Sequence, residues 1–270
     1  MFLPYLLFLI GCGPSTGHQV ASTVSEGTTI NTLFAPPAGF RRQVYHPETF
    51  AFWLGNVNVL PEGTQVALYS GTPKNRQDVH AAVLDVSVGT KDLQQCADAV
   101  MRLRAEYWFQ KGRFDDIHYQ FTSGFSTNFR RWVNGQRIQV DGPHGTRWFG
   151  TAAKDSSHTT LLEYLEKVFT YAGTLSLSKE LRSVGTSLVE PGDVFIHGGS
   201  PGHAVIVMDV ADHTDGRQAF LIAQSYMPAQ QIHVLKNTRQ PELGAWFILG
   251  DGNQFYTPEW TFDWNERKRW

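Results

Sequence analysis

Short apolar segments rich in Val, Ile, Leu and Phe follow one another between residues 193 and 249. Segments of about four to eight such residues, bounded by Gly, Pro, Asn or Asp, are typical of buried β-strands. The sequence therefore predicts five strands, at Asp193–Ile196, His203–Val210, Gln218–Gln224, Gln231–Leu235 and Trp246–Leu249.

The first half of the chain favours helices. Residues 92–111 carry apolar side chains at helical spacing, and Asp92 with Gln95 is typical of a capping box. A second helix is predicted at Leu161–Ala172, after a capping box of Thr160 and Glu163. Shorter elements are predicted as strands at Gln65–Tyr69, His80–Val88 and Ile117–Phe121 and as a helix at Ser126–Asn134. Helices early and strands late indicate an α+β fold, with a mainly antiparallel sheet packed against helices.

The composition is that of an ordinary globular protein. The chain has 270 residues, of which 41% are hydrophobic and 18% charged, with a formal net charge of -2. A nucleic-acid-binding protein usually carries a basic face, and this sequence has only small basic clusters. We expect a single domain at residues 41–265 and no nucleic-acid partner.

The N-terminus has the features of an export signal. Residues 1–10 are almost wholly apolar, and Leu9, Ile10, Gly11 and Cys12 end the run before a segment rich in Gly, Ser, Thr and Pro. The run is too short for a membrane-spanning helix, which needs about 20 apolar residues. The Leu-Ile-Gly-Cys order resembles the lipobox of bacterial lipoproteins, whose cysteine becomes the acylated N-terminus. The resemblance implies a signal peptide at 1–11, a flexible tether at 12–40 and a chain held in the cell envelope by acylated (palmitoylated) Cys12 in a bacterial membrane. A buried N-terminal strand is the alternative.

The chain has only two cysteines, Cys12 and Cys96. Acylation of Cys12 would leave Cys96 as a lone thiol, whereas a disulfide between them would exclude a lipid anchor.

The segment from Glu190 to Val207 carries the chemistry that the sequence suggests. Pro191, Gly192 and Asp193 open one strand, and His203 opens the next after the small residues of 198–202. This arrangement resembles the papain-like cell-wall peptidases and amidases, in which "PGD" opens one strand and "H" the next. The resemblance implies a papain-like fold and a hydrolase of cell-envelope amide bonds.

In a papain-like site, a cysteine near a helix N-terminus is the nucleophile and a polar residue on the following strand orients the histidine. Cys96, His203 and Gln224 fill these three roles in the right chain order. We expect Ser225, Tyr226 and Gly202 to contact the substrate.

Other interpretations of these residues stay open. Cys96 belongs to the apolar stripe of its helix and is also explained as a core thiol. A structural role accounts equally for His203. A non-catalytic envelope protein that binds glycan or peptide in the same cleft is therefore the alternative function, favoured by the Gly-rich rim and the eight Trp residues. A purely structural envelope lipoprotein is a third interpretation. The ten His residues have no paired ligand spacing, so we expect no metal and no cofactor.

A wider resemblance spans nearly the whole chain after the tether. It is similar to an uncharacterised family of bacterial envelope lipoproteins, described only as a domain of unknown function, which implies no activity. The segments that carry the resemblance are "DLQQCADAVMRLRAEY" (92–107), "FTSG" (121–124), "FTYAGTLSLSKEL" (169–181), "PGDVFIHGGSPGHAVIVMDVA" (191–211) and "LIAQSYMPAQQIHVLKN" (221–237).

Overall fold

The computed structural model describes residues 27–142, 145–150, 152–185, 187–248 and 252–270. The predicted signal peptide, Cys12 and most of the predicted tether lie outside these ranges. The helices are α1 (Ile30–Leu33), α2 (Phe50–Gly55), α3 (Cys96–Gln110), α4 (Phe129–Val133), α5 (His158–Tyr171) and α6 (Thr174–Glu180). The strands are β1 (Phe40–Arg42), β2 (His80–Val83), β3 (His118–Gln120), β4 (Ser126–Asn128), β5 (Arg137–Val140), β6 (Thr146–Phe149), β7 (Arg182–Ser183), β8 (Val194–His197), β9 (His203–His213), β10 (Gln218–Gln224), β11 (His233–Leu235), β12 (Phe247–Ile248), β13 (Gln254–Tyr256), β14 (Thr261–Asp263) and β15 (Arg267–Arg269).

One large sheet organises the fold. Within the described ranges its main path runs β2-β11-β10-β9-β8-β15-β7, with β1 added beside β9 and β12 beside β10. The strand pairs of this sheet are antiparallel. The prediction of a mixed α and β fold with a mainly antiparallel sheet is confirmed, and the five predicted late strands correspond to β8–β12.

Both faces of the central strands are buried, which explains why their sequences are continuously apolar. On β9, Ala204 and Ile206 face the larger core beneath the helices, whereas Val205 and Val207 face a second cluster that includes Phe255. A sheet covered on both sides needs no polar face. The β13–β14 hairpin supplies much of that second cover.

The helix α3 packs against β9 and begins four residues later than the sequence predicts. The backbone N–H of Gln95, the residue before the helix, donates to Asp98 Oδ2 at 3.0 Å. Asp92 is not the cap, because its Oδ1 accepts from the backbone N–H of Ala229 at 2.7 Å. Cys96 is therefore the first residue of the helix.

The folded domain extends beyond both predicted limits, 41 and 265. Ile30 is fully buried in the main core and Phe40 begins β1 beside β9, so packed structure begins before residue 41. At the other end, β15 pairs with β8 and β7, and Arg267 is only 3% exposed. The helices in the described ranges are all too short or too polar to cross a membrane.

Several short elements also differ from the prediction. Residues 126–134 divide into β4 and the helix α4, and residues 65–69 contribute only isolated bridges rather than a strand. The helix α5 covers most of its predicted range but begins three residues earlier, where Ser157 caps it by accepting from the backbone N–H of Thr160. Helices α2 and α6 were not predicted.

Candidate active site

A cavity of about 550 Å³ lies where the N-terminus of α3 meets the start of β9. Cys96 and His203 both line it, together with Gly202 and Tyr226. The loop before α6, the loop 199–202 and Trp260 complete its walls. Folding therefore brings the predicted nucleophile and the predicted base to one cavity.

The thiol of Cys96 is buried. The residue is 8% exposed, and burial, followed by the Asp98 carboxylate, raises the pKa of its thiol to about 11. The backbone N–H groups of Ala97, Ala204 and Cys96 itself interact with the sulfur and act in the opposite direction on this pKa. These N–H groups would stabilise a negative charge on sulfur once one formed.

His203 is held rigidly and uncharged. It is 1% exposed, and its Nε2 lies 2.8 Å from Gln224 Oε1. Burial is the main cause that lowers the pKa of its imidazole to about 4; the hydrogen bond with Gln224 raises this pKa and the nearby Lys74 lowers it. The ring centroids of Tyr226 and Trp260 lie 4.8 Å and 5.4 Å from that of His203.

Glu259 fixes the orientation of the Gln224 amide. Gln224 Nε2 donates to Glu259 Oε2 at 2.7 Å, and a carboxylate can only accept. The amide oxygen of Gln224 must then face His203, so the proton on the neutral ring lies on Nε2. His203 Nδ1 is thereby left as a proton acceptor, as a general base requires.

Lys74 completes this network. Its Nζ lies 2.5 Å from Glu259 Oε2, in an ion pair whose side chains are 8% and 10% exposed. Burial lowers the pKa of Lys74, although the hydrogen bond and charge of Glu259 oppose the shift. His233 also contacts Lys74 Nζ, at 3.4 Å, and burial lowers the pKa of this histidine to about 3. Glu259 and Lys74 were not predicted, because no local pattern links these two loop residues to the strands that carry His203 and Gln224.

The predicted contact residues have different placements. The ring of Tyr226 lines the cavity and packs against that of His203, with the two ring planes tilted by 56°. Gly202 is required sterically, since a Cβ there would lie 2.4 Å from both Gly199 O and Thr174 Oγ1. Ser225 is fully buried beneath the cavity, and its Oγ lies 2.8 Å from the carbonyl oxygens of Gln94 and Gln230. The expected substrate contact of Ser225 is therefore replaced by a structural one.

The "PGD" motif is structural here. Gly192 has a φ of 94°, and a Cβ there would come within 2.9 Å of the Phe50 ring. Asp193 is fully buried and accepts from Arg269 at 2.5 Å and 3.0 Å. The motif thus anchors the C-terminal strand β15 to β8, behind the cavity rather than in it.

The opening of the cavity is apolar, and two acidic side chains lie in its lining. Met227 and Leu175 line the opening and are 61% and 39% exposed. Asp92 and Asp98 line the cavity. Among the residues that the structure describes, no Lys or Arg does so. Across the same residues, no cluster of His, Cys, Asp and Glu is placed to hold a metal ion.

Comparison with known proteins adds a family without an activity. Residues 30–269 match the family described as "Domain of unknown function (4846)". Neither the curated proteins nor the solved structures contain a significant match to the chain.

Proposed function

Because the chain belongs to the family described as domain of unknown function (4846), which carries no assigned activity, we propose its function from the geometry of the cavity: a papain-like thiol hydrolase of amide bonds. One observation carries the proposal. A cysteine at a helix N-terminus and a histidine bonded through Nε2 to a buried glutamine line one cavity. A thiol, a base and a residue that orients the base are the three parts of a thiol-hydrolase site.

The proposed reaction begins with both groups neutral. At pH 7 a thiol with a pKa of about 11 keeps its proton, and an imidazole with a pKa of about 4 is uncharged. The thiol proton passes to His203 Nδ1 as the sulfur attacks the amide carbon, and the carbonyl π electrons move to its oxygen. Proton transfer in concert with attack avoids a separated thiolate and imidazolium in a buried site.

The tetrahedral intermediate then collapses. The C–N bond breaks, the leaving amine takes the proton from His203 Nδ1, and a thioester remains on Cys96. Water, deprotonated by the same Nδ1, hydrolyses the thioester and returns the proton to the sulfur. The N–H groups of the first turn of α3 have no partner within the helix and are suited to stabilise the oxyanion.

We propose that the amide substrate belongs to the bacterial cell envelope. The lipobox-like segment that ends at Cys12 and the likeness of residues 190–207 to cell-wall peptidases support this location. Acylated Cys12 would anchor the protein to a bacterial membrane, with the domain facing peptidoglycan or envelope peptides.

A binding protein that does not cleave its ligand is the second candidate. The observation that favours it is the pKa of about 11 for the Cys96 thiol, which keeps nearly all of the sulfur protonated at pH 7. In that case the apolar opening at Met227 and Leu175 would hold a glycan or a peptide.

Digestion of purified peptidoglycan separates the two candidates. The wild-type protein should release new amino groups from the polymer, and Cys96→Ala and His203→Ala should each abolish the release while remaining folded by circular dichroism at the assay temperature. Release that continues in Cys96→Ala would refute the hydrolase. Binding of peptidoglycan that needs His203, without any release, would establish the second candidate.

A further inference from the structure

A second and larger cavity, of about 840 Å³, lies along α3 away from Cys96. We call it the Trp53 groove. Arg102, Glu106 and Gln110 lie four residues apart on α3 and form one wall, because this spacing places side chains on one face of a helix. The groove is also lined by Phe52, Trp53, Asn56, Asp85, Lys111 and His158.

The groove is separate from the Cys96 cavity but lies in line with it. A small cavity of about 60 Å³ lies between them; it shares Leu93 and Phe169 with the Cys96 cavity and Ser87, Arg102 and Leu162 with the Trp53 groove. At a helical rise of about 1.5 Å per residue, Glu106 is about 15 Å from Cys96 along α3.

The charged residues that line the groove have a formal charge of zero in total, with Arg102 and Lys111 against Glu106 and Asp85. Arg102 Nε donates to Glu106 Oε1 at 2.7 Å, and the side chains of this pair are 7% and 11% exposed. His158 Nε2 lies 2.8 Å from the same oxygen. Lys111 pairs with Glu48 at 2.5 Å. A ligand in the groove therefore meets polar groups but little net charge, which favours a neutral polar molecule over an ion.

The rim combines aromatic surface with amide groups that keep hydrogen-bonding capacity. Trp53 Nε1 donates to Gln110 Oε1 at 2.7 Å, which leaves the Gln110 amide N–H groups as donors. Asn56 Nδ2 donates to the carbonyl oxygen of Phe52 at 2.8 Å, which leaves Asn56 Oδ1 as an acceptor. Phe52 is 37% exposed, and Trp53 stacks on Phe50 with ring centroids 5.9 Å apart.

We propose that the Trp53 groove is a binding site for a neutral saccharide chain. A sugar ring presents C–H groups on its face, which pack on aromatic rings, and hydroxyl groups at its edge, which both donate and accept hydrogen bonds. The groove offers both kinds of surface side by side. The inference does not depend on Cys96 being a nucleophile, since the two cavities share no lining residue.

The test uses the full chain with Cys96→Ala, so that no turnover disturbs binding, and two probes, chitotetraose and maltotetraose. Titration by calorimetry and by NMR should give saturable binding that shifts the indole resonance of Trp53. Phe52→Ala and Gln110→Ala should each weaken affinity about three- to tenfold, the loss expected for one aromatic contact or one hydrogen bond. The matched control is Phe149→Ala on β6, which removes another exposed aromatic side chain, 45% exposed, and should leave affinity unchanged.

Three results would overturn the proposal. One is the absence of binding by both oligosaccharides at millimolar concentration; another is binding that Phe52→Ala and Gln110→Ala leave unchanged. The third is binding of a polyglutamate peptide in the groove when neither oligosaccharide binds. Gln110 is exposed at the end of α3, so its variant tests the proposal even where Phe52→Ala lowers stability. Because hydrolysis is measured separately, loss of saccharide binding does not count against the thiol chemistry.

Discussion

Glu259→Gln is the substitution that probes the histidine network most sharply. The carboxylate accepts from Lys74 at 2.5 Å and from the Gln224 amide at 2.7 Å. Removing one member of a buried ion pair costs about 3 to 5 kcal/mol of unfolding free energy. Because the glutamine keeps one acceptor oxygen, we expect the lower figure, about 3 kcal/mol.

The loss should depend on pH in a defined direction. Burial already lowers the pKa of Lys74 from 10.5, and removing Glu259 lowers it further. The folded state then binds fewer protons than the unfolded state, so the stability of the variant increases as pH rises toward 10.5. Its deficit relative to wild type is accordingly greater at pH 7 than near pH 10.5.

Urea denaturation of four proteins measures these effects: wild type, Glu259→Gln, Lys74→Met and the double variant. The double variant should recover most of the loss, because the unpaired cation is gone and the methionine fills its space. A cost below about 1 kcal/mol for Glu259→Gln, or a double variant no more stable than the single one, would refute the buried ion pair as the organising contact. A second readout is the His203 tautomer, which 15N NMR should find protonated on Nε2 in wild type and mixed in Glu259→Gln.

Three further predictions concern the thiol, the histidine and the C-terminal strand. With a pKa of about 11 rather than 9.0, the Cys96 thiol should react with iodoacetamide about 100-fold more slowly at pH 7 than an unperturbed thiol. The rate should rise about tenfold per pH unit until near pH 11, and a rate that is already constant near pH 7 would contradict the raised pKa. The pKa of His203 falls from 6.5 to about 4 on folding, so lowering the pH from about 7.5 to 4 should reduce the unfolding free energy of wild type by about 3 kcal/mol relative to His203→Phe. Urea denaturation that gives the two proteins the same dependence on pH would contradict the burial of His203. Asp193→Ala leaves Arg269 without its buried partner and should cost about 3 to 5 kcal/mol in thermal unfolding, whereas Asp215→Ala at an exposed pair should cost less than about 1 kcal/mol.

The sequence was informative where local patterns decide the structure. The apolar run from His203 to Val207 predicted a buried strand with the histidine at its head, and β9 begins at that residue. The spacing along 92–111 predicted the helix that carries Cys96, although its start moved because Asp92 is engaged by Ala229. In the structure α3 packs against β9, and both residues line one cavity.

Contacts between distant segments escaped the sequence analysis. Glu259 lies 35 residues beyond Gln224 in a loop without periodicity, and only folding of the β13–β14 hairpin over the sheet brings them together. The ion pairs of Asp193 with β15 are of the same kind, and the predicted end of the domain at 265 therefore fell short. Ser225 follows Gln224 directly, but alternation along an extended backbone turns its side chain away from the cavity.

Intact-mass spectrometry of the wild-type protein mixed with peptidoglycan fragments, quenched by acid within seconds, tests the proposed chemistry most directly. Thioester formation at Cys96 should give an acyl adduct that maps to the peptide containing Cys96, disappears with hydroxylamine, and does not form in His203→Ala. Release of amino groups from the fragments with no adduct at Cys96, or an adduct that forms equally without His203, would contradict it.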